Sequence, residues 1–254
     1  MNKIFDTHAH YDDNKFNEDR DILLDKLFKD NVCGIINCGV DFKSSIKSIE
    51  LSNKYPLIYA AIGIHPHEAE NINEEDLNKI KKLYNNKKVV AIGEIGLDYH
   101  YDFCPRKKQI EVFEEQLKLS LELDLPVIIH DREAHEDTFR LLKKYKPKGV
   151  VHCFSSSLEM AQQIISLGMY IGMGGTITFK NSKKPVDVAK NIDLSRLLLE
   201  TDAPYITPVP YRGTRCDSSH IFFTAQKISQ LRDISIDEVL LANLNNVKAL
   251  FKIN

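Results

Sequence analysis

Two histidines one residue apart, His8 and His10, close the first apolar run of the chain, IFDTHAH (4–10). Groups of the same kind recur at the ends of later runs. His65 and His67 follow IYAAIGIHP (58–66), Glu94 stands in VVAIGEIG (89–96), and His130 in PVIIHD (126–131). His152 stands in GVVHCF (149–154) and Asp202 in LLLETDAP (197–204). Neutral imidazole nitrogen and carboxylate oxygen are the donors that bind divalent metals. A single H-x-H is a weak signal, and a lone histidine at a strand end is more often a hydrogen-bonded core residue. Their recurrence at the ends of successive runs points to one shared metal site.

For these residues to meet, the runs must be arranged around a common centre. Two further runs, GIINCGV (34–40) and YIGMGG (170–175), complete a series of eight, each followed by a stretch with helical spacing. One such stretch is RDILLDKLFKDN, with Ile22, Leu23, Leu27 and Phe28 on one side. Another is QIEVFEEQLKLSLELD, with Ile110, Phe113, Leu117 and Leu121 at helical intervals. This rhythm in 254 residues predicts an α/β fold, a (β/α)8 TIM barrel forming a single domain over 1–254. A doubly wound open sheet would usually carry a glycine-rich turn after its first strand, and none follows here. In a barrel the C-terminal strand ends share one face, where active sites form.

Strand side chains alternate with period two. Ile4, Asp6, His8 and His10 are therefore expected on one face, as are Val90, Ile92 and Glu94, Ile128 with His130, and Val150 with His152. Several imidazoles and two carboxylates converging on a barrel interior are expensive to bury unless a divalent cation takes them as ligands.

Bulk properties narrow the function classes. The charge is -2, from 34 Lys and Arg against 36 Asp and Glu, so attraction for a polyanion must be local. No apolar run reaches the roughly 18 residues of a membrane span, and Asp6 interrupts the start too early for a signal-peptide core. The expectation is a cytoplasmic, monomeric protein without membrane contact. Five cysteines, Cys33, Cys38, Cys104, Cys153 and Cys216, without a C-x-x-C pair, read as free thiols.

The motifs FDTHAH, GIHPHEA, IGEIGLDYHYD, PVIIHDREAHEDT, HCFSSSLEMA, GMGGTITFKNS and ETDAPYITPVPYRG span nearly the whole chain. On them the sequence resembles the TatD family of metal-dependent deoxyribonucleases, within the amidohydrolase-like barrel superfamily. The resemblance implies two divalent metal ions (Mg, Mn or Zn) bound by His8, His10, Glu94, His130, His152 and Asp202. It implies a DNA substrate, single-stranded or at 3′ ends, degraded as by a 3′-to-5′ exonuclease. In that reading His8, His10 and Glu94 hold one metal. Glu94 bridges to a second, held with His130 and His152, and Asp202 is the general base. Glu200 is expected as a supporting acceptor.

Expected substrate contacts are His65, His67, Arg132, Lys180 and Arg212, with Thr178 and the glycines Gly172, Gly174 and Gly175 near strands seven and eight. Arg106, Lys107, Lys108, Lys183, Lys184 and Arg215 are expected on the same face. One departure stands out. After YRG the family usually continues with an Asn-Glu-Pro tripeptide, where this chain has Cys216, Asp217 and Ser218. The change is expected to bear on loop shape and substrate preference. Two other readings remain: an esterase or deacylase acting on small phosphoesters or aminoacyl-tRNA, and a non-catalytic metal-binding scaffold.

Overall fold

Runs rich in Val and Ile suit a pleated surface buried on both sides, and each forms a parallel strand. The computed structural model describes residues 3–101 and 103–253. Strands and helices alternate: β1 (Ile4–Ala9), α1 (Arg20–Asp30), β2 (Val32–Cys38), α2 (Phe42–Lys54), β3 (Ile58–Ile62) and α3 (Glu74–Leu83). They continue with β4 (Val89–Asp98), α4 (Arg106–Leu123), β5 (Val127–Arg132), α5 (His135–Tyr145), β6 (Gly149–Val151) and α6 (Leu158–Ser166). The chain ends with β7 (Tyr170–Met173), α7 (Lys183–Asn191), β8 (Leu197–Leu199), α8 (Ile221–Arg232) and α9 (Ile236–Phe251). The strands form one sheet in sequential order, β1 to β8. This is the expected (β/α)8 barrel. No helix among the described residues is long and apolar enough to cross a membrane.

Two apolar layers hold the sheet. Ile35, Ile58, Val127, Ile129, Val151, Ile171 and Leu197 pack outward with helix residues such as Leu24, Phe113, Leu117 and Leu141. Phe5, Ile36, Cys38, Val90, Ile128, Val150 and Leu198 fill the interior. Val247, Leu250 and Phe251 of α9 join that inner cluster.

Three expectations need correction. Ile22 and Leu121 are 75% and 50% exposed, not core. In α4 the buried stripe runs through Gln109, Val112, Phe113, Gln116, Leu117 and Ser120. The two glutamines turn inward because their amides satisfy loop backbone: Gln109 bonds Asp98 and Cys104, and Gln116 bonds both N–H and C=O of Ile64. In α1 the buried residues are Leu24 and Leu27, which leaves Ile22 outside.

Side-chain alternation also departs from the expected pattern. Ile128 and Val150 face the interior two residues before His130 and His152, as expected. In β1, however, Ile4 lies in the outer layer and Phe5 in the inner one, and in β4 Val90 is inner but Ile92 outer. Each strand carries an extra residue against its neighbour, β1 between Asp6 and Ala9 and β4 between Ile92 and Ile95. An extra residue reverses which face the following side chains take. That reversal turns His8 and Glu94 inward although Ile4 and Ile92 face out.

Closure between β8 and β1 uses side chains as well as backbone. Ala9 bridges Ala203, and Thr7 Oγ1 donates to Leu199 O at 3.0 Å. Asn243 of α9 spans the seam: its Oδ1 accepts from Leu199 N and its Nδ2 donates to Phe5 O, both at 2.9 Å. Asn243→Leu keeps the volume but leaves a buried donor and a buried acceptor unpaired, each worth about 1–3 kcal/mol. The variant is expected to lose about 2–5 kcal/mol of unfolding free energy in urea with an unchanged m value. A loss below about 1 kcal/mol would show that the seam does not depend on this amide.

Candidate metal centre

The sequential strand order brings the predicted groups to one end of the barrel. His8, Glu94 and His130 sit on β1, β4 and β5. β6 and β8 are shorter than their apolar runs, so His152 and Asp202 occupy the loops just beyond, as do His10, His65 and His67 after β1 and β3. Asp202 adopts a left-handed φ of 59°, a conformation Asp tolerates. Barrel closure fixes its place: Asp202 N donates to His8 O at 2.9 Å, and His10 N to Ala203 O at 2.7 Å.

The donor atoms form two groups around Glu94. In the first, His8 Nε2 lies 3.0 Å from His10 Nε2, 3.4 Å from Glu94 Oε2 and 3.6 Å from Asp202 Oδ1. His10 Nε2 lies 3.5 Å from Glu94 Oε2 and 3.3 Å from Asp202 Oδ1. A tetrahedral ion with bonds of about 2.0–2.1 Å has edges of roughly 3.3–3.4 Å, so the His8, His10 and Glu94 atoms suit ligands of one cation, with Asp202 Oδ1 beside the two imidazoles. In the second, Glu94 Oε1 lies 3.0 Å from His130 Nδ1 and 2.8 Å from His152 Nε2, which are 3.3 Å apart. The carboxylate thus turns one oxygen to each group, as a bridge requires.

Hydrogen bonds set the tautomers. His10 Nδ1 donates to Cys38 O at 2.8 Å, which leaves Nε2 bare in the neutral ring. His130 Nε2 donates to Asp98 Oδ2 at 3.0 Å, which leaves Nδ1 bare toward Glu94. His65 is the reverse case. Its Nδ1 accepts from His67 N at 3.2 Å, so the neutral ring carries its proton on Nε2, 3.7 Å from Glu94 Oε1. His65 is therefore built as a donor into the cleft. His67 Nε2 donates to Asp98 Oδ2 at 3.0 Å and is not free for a ligand.

Without a cation, protons gather where positive charge is needed. Burial draws His8 down to about 4, helped by the charge of His152, whose ring stacks on it at 4.0 Å. Burial opposes charge on His10 too, but the bond to Asp202 and the charges of Glu94 and Asp202 lift it to about 10. Burial is likewise outweighed at His130, where Asp98 and Glu94 raise it to about 9. Glu94 and Asp202 are held below the usual carboxylate range, because the surrounding imidazoles outweigh the burial of each.

Other expected residues fall differently. A cleft of about 1140 Å³ above the centre is lined by Arg132, Lys183 and Lys184, and also by Asp12, Asp13, Glu68 and Glu133. Lys180 is exposed outside this lining, and Arg212 lies over the Phe179 ring at 3.8 Å. Arg106 lies over Tyr99 at 4.4 Å; Lys107 is exposed and Lys108 half-buried, both outside the lining. Arg215 is bound by both Asp19 oxygens, at 2.7 and 2.6 Å, so it belongs to the fold. The basic surface is narrower than the loops suggested, because several cations are engaged by their own neighbours.

The glycines after β7 also serve the fold. A Cβ at Gly172 would meet Glu200 Oε2 at 2.5 Å, and one at Gly175 would meet Ile206 O at 2.4 Å. They make room for Glu200 and the β8 loop. Thr178 Oγ1 donates to Gly175 O and accepts from Val209 N. Glu200 accepts from Cys153 N, lies 3.7 Å from His152 Nδ1, and is pushed up to about 8 by burial. Cys216, Asp217 and Ser218 turn away from the cleft. Cys216 and Ser218 are buried, Ser218 Oγ donates to Asp6 Oδ2 at 2.7 Å, and Asp217 caps the turn at 218–220.

Sequence reasoning missed Asp98. It lies in the same motif as Glu94, four residues on, and β4 continues through it rather than ending at 96. Two more steps of alternation past Glu94 would have placed it inward.

The model of the family described as TatD related DNase matches residues 5–252. The metal-dependent hydrolase YabD of Bacillus subtilis, named as uncharacterized, is 41% identical over 99% of this chain and 100% of its own length. A protein of Escherichia fergusonii named 3′-5′ ssDNA/RNA exonuclease TatD is 30% identical over 99% of this chain and 100% of its own. The crystal structure of YjjV, a TatD homolog from Escherichia coli K12, superposes with a TM-score of 0.93 at 34% identity, covering 99% of this chain and 98% of that one.

Metal binding here must displace protons. The raised His10 and His130 are protonated at neutral pH in the metal-free chain and give up their protons as pH rises through about 10 and about 9. Calorimetric titration with Zn²⁺ or Mn²⁺ in buffers of different ionisation enthalpy is expected to show release of at least about two protons per chain near pH 7, since Glu94 also raises His152 against its burial. Affinity is expected to rise between about pH 6 and about pH 8. A flat affinity with no proton release would mean that these imidazoles are not the ligands.

Proposed function

From the premise that this chain belongs to the TatD related DNase family and is a metal-dependent hydrolase, we propose that it cleaves phosphodiester bonds of single-stranded nucleic acid from the 3′ end. The observation that carries this reading is the division of one buried carboxylate, Glu94, between two groups of imidazole donors. That donor set fits a pair of divalent cations: His8, His10, Glu94 and Asp202 would hold one, and Glu94, His130 and His152 the other. When bound, such cations neutralise phosphate charge and lower the pKa of water. The name of the Escherichia fergusonii relative supports the choice of single-stranded DNA or RNA. The nitrogen-rich donor set favours Zn or Mn over Mg, which prefers oxygen and water.

The chain's own residues supply binding and proton transfer. Asp202 is ionised, is 18% exposed at its side chain, and faces the cleft, so it can take the proton of an attacking water. As the water oxygen bonds to phosphorus, the ester oxygen on the opposite side leaves with the P–O electron pair. His65 presents Nε2–H toward the same volume and donates to a phosphate oxygen. Arg132 lines the cleft and offers a guanidinium fork to a phosphate. Asp98 holds His130 and keeps its proton on the side away from Glu94.

Asp202→Asn preserves size but cannot accept the proton. At matched metal content kcat on a single-stranded oligonucleotide is expected to fall by at least about 10²-fold with unchanged circular dichroism. A rate within about threefold of the parent would remove Asp202 from the role of base. The substrate class is read by comparing single-stranded DNA, RNA and small phosphodiesters across several divalent metals. Turnover confined to the small esters would overturn the nucleic-acid reading.

A further inference from the structure

Just past β4, two aromatic side chains stand in solvent beside the cleft. Tyr101 is 48% exposed and Phe103 is 63% exposed. Their rings stack on each other, 5.4 Å apart and tilted by 21°. His67 supports both edge-on, at 5.5 Å from Tyr101 and 4.9 Å from Phe103. The Arg132 guanidinium lies 5.0 Å from the Tyr101 ring centre. Tyr101 and Arg132 both line the cleft above the metal-binding groups.

This shelf is rooted in the site itself. Asp98 Oδ1 accepts the backbone N–H of His100 and of Tyr101, each at 3.0 Å. Its other oxygen, Oδ2, accepts from His130 and from His67, each at 3.0 Å. One buried carboxylate therefore fixes the imidazole that faces Glu94, the imidazole that supports the shelf, and the start of the loop that carries the shelf. The position of the rings relative to the donor groups is set by that anchor.

We propose that the Tyr101–Phe103 pair, with Arg132 beside it, is a stacking subsite for an unpaired nucleobase of the strand whose phosphodiester lies over the Glu94 groups. The inference rests on the nucleic-acid reading above. Exposed rings invite a flat partner, since aromatic faces shed water readily and gain from offset stacking. The guanidinium beside the ring contributes a cation–π contact and a phosphate donor in the same place. Every nucleobase has a π-face, so such a shelf holds a strand without reading its sequence. A base must leave its stack to lie there. This is easy for a single strand and requires unpairing in a duplex. The subsite thus gives a physical origin for single-strand preference.

The test compares KM and kcat on two single-stranded oligonucleotides, one intact and one with abasic sugars at its last 3′ positions. The parent chain is set against Tyr101→Leu/Phe103→Leu and against Tyr101→Trp. The double variant is expected to raise KM on the intact strand about tenfold while leaving kcat at saturation and metal content unchanged. On the abasic strand it is expected to behave as the parent does, and Tyr101→Trp is expected to retain the parent KM on both. An unchanged KM on the intact strand, or an equal rise on both strands, overturns the stacking subsite. A parent chain that cleaves neither strand overturns instead the functional reading on which the subsite rests.

Discussion

Glu94 is a carboxylate 4% exposed at the mouth of the barrel, and its ion-pair partners among the described residues are all imidazoles: His8, His10, His65, His130 and His152. A buried charge must be compensated, and neutral imidazole does so only by taking a proton or by sharing a cation. The rest of the site follows from this constraint. Asp202 adds a second negative charge on one side, which raises the demand for positive charge at His10. Asp98 adds one on the far side of His130. Backbone and side-chain acceptors then decide which nitrogen of each ring is bare, so that the lone pairs of His10 and His130 point toward the shared carboxylate.

Barrel closure and assembly of the first donor group are the same physical event. The bonds that join the loop after β8 to β1 run from Asp202 N to His8 O and from His10 N to Ala203 O. Asp6 secures the seam from inside by accepting from the backbone and hydroxyl of Thr201 and from Ser218. Burial pushes Asp6 up to about 6, against the lowering effect of those bonds. Ser218 and Tyr11 complete the network, with Tyr11 OH accepting from Ser218 N. The segment Cys216, Asp217 and Ser218 therefore acts on how the loop grips β1, and none of the three lines the cleft.

Asp98 has a comparable role on the opposite side of the barrel. It ties β4 to β5 through His130 and to the loop after β3 through His67. It also holds the start of the loop that carries Tyr101. The polar network behind the donors thus joins three strand ends through one side chain. Such shared acceptors restrict motion of the imidazoles relative to each other, which is what a site that must present several bare nitrogens at fixed spacing requires.

The sequence by itself determined the barrel and most of the donors. Short β-branched runs alternating with helical stretches are a local signal, and His, Glu and Asp at their ends are visible one run at a time. Tertiary structure decided what depends on partners distant in the chain. Register shifts in β1 and β4 reversed the faces that simple alternation assigns to Ile4 and Ile92. Gln109 and Gln116 turned inward to satisfy loop backbone, which displaced Leu121 to the surface. Arg215 was drawn to Asp19, nearly two hundred residues away, so its charge left the cleft. Asp98 gained its importance from His67 and His130, neither of them its neighbour in sequence. Local pattern records which side chains are apolar and which can ligate. The pairing of buried polar groups is settled only when the strands close, because each such group must find its partner in three dimensions.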